Sequence, residues 1–176
     1  MTPLGSRIVR FGLVALAVLG AVSAPAQAWR VGQAAPEITG QRWINSAPLA
    51  MERLRGRVVA VEFWTYGCYN CRNVIPQLRD WHGRFEKSGL TIVGVHSPEF
   101  TWEQSYDTVA DAARTLDVRY PVVQDNDFAI WKRYGVRAWP TLVLVDRKGV
   151  VRYRHIGEGA YEETERMIRL LLAEGA

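Results

Sequence analysis

Cys68 and Cys71, separated by Tyr69 and Asn70, are the only two cysteines in the chain, and the stretches on either side of them leave few folds open. Ahead of them, Val58-Val59-Ala60-Val61-Glu62-Phe63 is an apolar, β-branched run that reads as a buried strand. Behind them, Val74, Leu78, Trp81 and Phe85 recur at offsets of four, three and four, the spacing of one helix face. The pair therefore sits at a strand-to-helix turn, with Cys68 at the helix N-terminus and Cys71 about one turn in. Free backbone N–H groups and the positive end of the helix dipole favour a thiolate there. Cys68 is read as the exposed, attacking thiol and Cys71 as the shielded, resolving one.

Cys-x-x-Cys alone is shared with zinc sites, so its surroundings matter. Glu62 lies six residues before Cys68, Trp64 follows the strand, Pro76 is five past Cys71, and Trp139-Pro140-Thr141 comes far downstream. With these residues the chain resembles the thioredoxin superfamily over nearly all of its length after residue 28. The resemblance implies an α/β thioredoxin-like fold. Its central mixed sheet is flanked by helices, with an N-terminal extension and an extra helix-strand insertion before a cis-proline. It further implies a redox disulfide between Cys68 and Cys71, a buried acid at Glu62, and a helix-kinking Pro76. A cis bond at Pro140 would face the disulfide, and Trp64, Tyr69, Trp139 and Pro140 would contact substrate. The Trp-Thr-Tyr-x-Cys-x-x-Cys form and His96-Ser97-Pro98-Glu99-Phe100 resemble two exported groups in particular. These are the thioredoxin-like domain of cytochrome-c-biogenesis-type membrane reductases and the periplasmic reductases similar to it. Gly67 replaces the usual tryptophan, and Tyr69-Asn70 replaces Gly-Pro, departures that bear on redox potential.

A bridge stabilises more when it closes a longer loop. One between Cys68 and Cys71 would staple little, which favours a working disulfide over a structural one. His82, His96 and His155 have no ligand spacing, so neither metal nor another cofactor is expected. His96, Glu99 and Trp102 are candidates for the rim of the site; the alternative for His96 is a plain strand cap. Glu62 has two readings: a buried acid that takes the Cys71 proton, or a surface residue on an edge strand.

The 176 residues suit one domain, residues 29–176. Arg7 and Arg10, the apolar run Phe11 to Ala24, and Ala26-Gln27-Ala28 form the pattern of a cleavable secretory signal over residues 1–28. The run is short for a bilayer span of ~20 residues; an uncleaved anchor is the alternative. Either way the domain is expected outside the cytoplasm, in the periplasm or otherwise exported, without stable membrane insertion after cleavage. Net charge is +4, two units of it in the leader, and no basic run interleaves with aromatics, so no nucleic-acid partner is expected.

Further along, residues 29–56 suggest a short N-terminal hairpin, with one helical turn from Leu49 to Leu54. Thr91 to His96 reads as a second core strand. Trp102, Tyr106, Val109, Ala113 and Leu116 mark a helix, and Tyr120 to Gln124 another strand. Asp125-Asn126-Asp127 caps a short helix ending at Gly135. Thr141 to Val145 and Val150 to His155 form a hairpin, and Tyr161 to Glu174 closes the chain as an amphipathic helix with Met167, Ile168 and Leu171 inward.

Together these features predict an exported thiol–disulfide oxidoreductase, a monomer acting on protein disulfides. Family resemblance suggests the reducing direction, a membrane thiol reductase as electron donor, and apocytochrome c or mis-oxidised envelope proteins as substrates. Two alternatives remain. A thiol peroxidase would use Thr65, three before Cys68, although Val61 stands where the peroxiredoxin motif has proline. A redox-inactive docking module would leave the intact Cys-x-x-Cys unused.

Overall fold

The computed structural model describes residues 30–40 and 42–175. The expected leader, residues 1–28, and Trp29 lie outside the described residues. The strands are β1 (Trp43–Ile44), β2 (Val58–Trp64), β3 (Leu90–His96), β4 (Val122–Gln124), β5 (Thr141–Val145) and β6 (Val151–Ile156). The helices are α1 (Tyr69–Phe85), α2 (Tyr106–Thr115), α3 (Ala129–Arg133) and α4 (Tyr161–Ala173). One mixed sheet runs β1-β4-β3-β2-β5-β6. β2, β3 and β4 are parallel, while β5 runs antiparallel to β2 and β6 antiparallel to β5. α2 and β4 are the expected helix-strand insertion ahead of the proline.

β2 lies inside the sheet, and all seven of its residues are buried. Its side chains alternate between faces. Val59, Val61 and Phe63 join one apolar layer with Ile130 and Tyr134. Val58, Ala60 and Trp64 join the other, beneath Val74, Leu78 and Trp81 of α1 and Ile168 and Leu171 of α4. Glu62 falls on this second face, the face of the cysteine-bearing helix. Each buried aliphatic or aromatic side chain contributes roughly 1.5–3 kcal/mol, so the layer tolerates one carboxyl at a cost. An edge-strand position for Glu62 is ruled out by the strand order.

Two local expectations are corrected. The N-terminal hairpin does not form: β1 pairs with β4 at one sheet edge, and Ala34 bridges Val150 near the other. Sheet edges carry unpaired N–H and C=O groups, and the extended segment satisfies some at both. Trp102 is not on α2 but in a separate 3₁₀ turn, Thr101–Glu103, and is 57% exposed. His82 is half-buried, edge-on to Tyr120. His155 lies within β6. The acidic cluster caps α3 from a distance: Asp125 accepts the N–H groups of Ile130 and Trp131, and Asp127 that of Ala129.

Candidate active site

Trp64 ends β2, and Thr65-Tyr66-Gly67 carries the chain to α1. Cys68 is the N-cap of α1, and its Sγ accepts the Cys71 N–H at 3.2 Å. Cys68 and Cys71 are joined as a disulfide, with Cα atoms 5.2 Å apart. Cys71 is fully buried and Cys68 half-buried. A backbone N–H directed at sulfur, at the positive end of a helix, stabilises the Cys68 thiolate once the bridge is reduced.

The Trp139-Pro140 bond is cis. Thr141 is in register with Phe63, so β5 delivers Pro140 to the end of the sheet that carries the cysteines. Pro140 is buried, and its carbonyl accepts the Gly157 N–H at 2.8 Å. Trp139 Nε1 donates to the Ser97 carbonyl at 3.0 Å, and its ring lies 4.3 Å from that of Trp131. Trp139 is thereby pinned to the loop that follows β3.

That loop also braces the cysteine turn. Glu103 is fully buried. Its Oε1 accepts the Gly67 N–H at 3.0 Å, and its Oε2 accepts those of Glu99 at 2.6 Å and Phe100 at 2.9 Å. A Cβ on residue 67 would collide with Glu103 Oε1 and stand 2.8 Å from the Trp102 ring. This close approach explains why glycine stands there. Above it, Tyr66 stacks on His96 at 5.6 Å and meets Trp102 edge-on at 5.4 Å, and Trp102 stacks on Phe100 at 5.6 Å. Phe100 and Trp102 are largely exposed, as is Tyr69 between the cysteines. His96 is fully buried, 3.3 Å from Thr65 Oγ1 through Nε2, and burial lowers its pKa to about 4, so it stays neutral. Glu99 is exposed and contributes its backbone N–H. Among the described residues, no group of three or more His, Cys, Asp or Glu could hold a metal ion.

Glu62 is 2% exposed and has no hydrogen-bond partner among the described residues. Burial pushes its carboxyl up to about 8. At neutral pH most of this carboxyl is therefore protonated. The structure thus gathers Cys68, Cys71, Trp64, Trp139, Pro140 and Tyr69 at one end of the sheet, with Glu62 below. It also brings in Glu103, which the sequence reading missed. Glu103 sits three residues past Phe100, the spacing of the returning half of a capping box, but Phe100, and not a Ser or Thr, stands at the cap position.

A disulfide capping a helix, next to a cis-proline on the neighbouring strand, defines a thioredoxin-like protein of the thiol–disulfide oxidoreductase type. The chain belongs to the AhpC/TSA family, whose model matches residues 31–154. It is 40% identical over 142 residues to Protein DipZ of Mycobacterium tuberculosis, a match covering 78% of this chain and 20% of that protein. The chain spans a fifth or less of the length of this and several other curated relatives. It is 24% identical over 133 residues to the thiol-disulfide oxidoreductase ResA of Halalkalibacterium halodurans, covering 74% of this chain and 72% of ResA. The crystal structure of a thiol-disulfide isomerase from Corynebacterium glutamicum superposes with a TM-score of 0.71 at 27% identity, over 80% of this chain and 97% of the other.

Proposed function

We propose that the chain is an exported thiol–disulfide oxidoreductase working in the reducing direction on protein disulfides. The observation that carries the reading is the Cys71 N–H directed at Cys68 Sγ on the helix cap, with Cys71 itself buried. In the reduced protein the Cys68 thiolate attacks a substrate disulfide, forming a mixed disulfide and releasing one substrate thiolate. Cys71 then loses its proton to Glu62 in its ionised form, a minority at neutral pH that grows toward pH 8, and attacks Cys68 sulfur. The second substrate sulfur leaves as a thiolate, which solvent protonates, and the Cys68–Cys71 bridge carries away the two-electron oxidation. A membrane thiol reductase would return the dithiol. Tyr69 and Trp139 contact the substrate segment beside Pro140, and Tyr66, Trp102 and Phe100 extend that surface, whereas Trp64, expected to touch substrate, is 1% exposed and packs beneath the turn. Apocytochrome c and mis-oxidised envelope proteins are the substrates of choice, and cleavage after Ala28 would release the protein, as a monomer, into the periplasm.

The peroxidase reading is weakened by Thr65, whose hydroxyl is buried against His96 Nε2. Insulin reduction with a dithiol donor tests the proposal: turnover supports it, and turnover with peroxide alone supports the alternative. Cys71→Ala in the native envelope should accumulate mixed disulfides with the substrates; a variant that traps nothing there would count against protein substrates.

A further inference from the structure

The second proton step needs an exit, because Glu62 must shed what it takes from Cys71. Three buried polar groups without a partner among the described residues lie on its face of the sheet, and one of them, Trp64 Nε1, is a donor only and cannot accept a proton. Tyr120 is 1% exposed, its hydroxyl has no partner among the described residues, and it offers no way to solvent. Burial, with the Glu62 charge nearby, pushes its pKa far above the ordinary tyrosine value. His155 is different. Glu62 is in register with Leu142 on β5, and Leu142 with His155 on β6, so the three stand in a row across three strands. His155 Nε2 is buried and unpartnered among the described residues, while the residue as a whole is partly exposed.

Between them is a cavity of about 20 Å³ lined by Glu62, Leu142, His155, Tyr161 and Thr164, and roofed by α1. A space above roughly 10–15 Å³ with two or more polar partners accommodates one water. The loop Gly157–Ala160 forms its outer lip. It is tied to the cis-proline through the Gly157 N–H and to α1 through Asn73, whose Nδ2 donates to Glu158 at 3.1 Å. The other groups around the cavity serve a relay poorly. Thr164 donates to Tyr153, Trp81 to Glu165, and the Tyr161 hydroxyl accepts the Gly159 N–H, with Glu158 nearby. His82, edge-on to Tyr120, does not line this cavity; it borders a separate surface pocket beside Glu86.

We propose that a water in this cavity joins the Glu62 carboxyl to His155 Nε2, and that His155 relays the resolution-step proton to solvent. An imidazole can accept a proton on one nitrogen and release one from the other. In the oxidising half of the cycle Cys71 gives its proton to Glu62, Glu62 passes one to the water, and the water passes one to His155. No electrons move along this path. The inference rests on the reading of Glu62 as the proton acceptor for Cys71.

Stopped-flow exchange with a model disulfide separates mixed-disulfide formation from resolution. His155→Phe should leave formation within about twofold and slow resolution about tenfold, a fraction of what acid–base catalysis contributes overall, with a flattened pH profile. His155→Ala should be slowed likewise and recovered by added imidazole, which a purely structural histidine would not permit. In a Glu62→Gln background, His155→Phe should add nothing further. If Glu62→Gln slows resolution while His155→Phe and His155→Ala resolve at the wild-type rate at every pH, the relay is overturned and Glu62 stands. If Glu62→Gln itself resolves normally, the Glu62 reading fails first. Slowing of both histidine variants without imidazole recovery also overturns the relay.

Discussion

Two buried glutamates flank the cysteine turn, and they live in opposite surroundings. Glu103 receives three backbone N–H groups on its two oxygens. Glu62 receives none and faces apolar side chains and a small cavity. The carboxylate held by three donors is a brace, because its charge is already balanced by fixed dipoles. The one without donors is held by its neighbours in the neutral form and gives up its proton only near the range in which thiols titrate. Burial alone therefore says nothing about a carboxyl's task; the donors around it decide.

The sharpest way to break this contrast is to make the same substitution at both positions. Glu62→Gln keeps the shape and removes the charge. The folded protein holds the Glu62 proton up to about pH 8, whereas the unfolded chain releases it near 4.5. Wild-type stability is therefore full below the unfolded value and falls as pH rises from there through about 8. The variant should escape that fall and be more stable than wild type at pH 9 by roughly 3–5 kcal/mol, with near parity at pH 4. Urea unfolding of both oxidised proteins across pH measures it, and parallel curves would mean that Glu62 has a donor.

Glu103→Gln should act with the opposite sign. All three of its partners donate, so one of them would face an amide N–H instead of an oxygen. A loss of about 1–3 kcal/mol, similar at pH 6 and pH 9, is expected from the same unfolding series. Gly67→Ala, which pushes a methyl against the same carboxylate, should cost about 1–2 kcal/mol. Combined with Glu103→Ala it should cost less than the sum, because the second change removes one of the two obstacles, leaving the Trp102 ring. The smallest effect is at the rim. Trp102→Ala should raise KM for insulin about fivefold, equivalent to a modest interface residue, and leave exchange with a small aliphatic disulfide unchanged. An equal loss with both substrates would make Trp102 part of the brace.

What the sequence disclosed follows the range of the interactions. β2, the cysteine turn and α1 are contiguous, and their periodicities place Val74, Leu78, Trp81 and Phe85 inward without reference to the rest. Pro140 was found through the resemblance to the thioredoxin superfamily, although the contact it makes is tertiary. Glu103 and Gly67 are 36 residues apart, and no local pattern joins them. The row Glu62, Leu142, His155 exists only through strand register, which periodicity does not specify. Trp102 fitted the helical spacing of α2 yet belongs to an earlier turn, because Glu103 ties that turn to Gly67 rather than letting it continue into the helix.

The strap formed by residues 30–40 also fixes how the domain can be oriented. Gly32 donates to the Val151 carbonyl and Ala35 to that of Gly149. Val151 lies beside Val145, at the end of β5 farthest from Pro140. At the other terminus, Arg152 reaches Glu174, and Arg147 donates to the Leu172 carbonyl. Both ends of the described chain thus leave from the pole opposite the disulfide. A tether or a neighbouring domain attached at either end points the reactive sulfur outward, like a tool held by its handle.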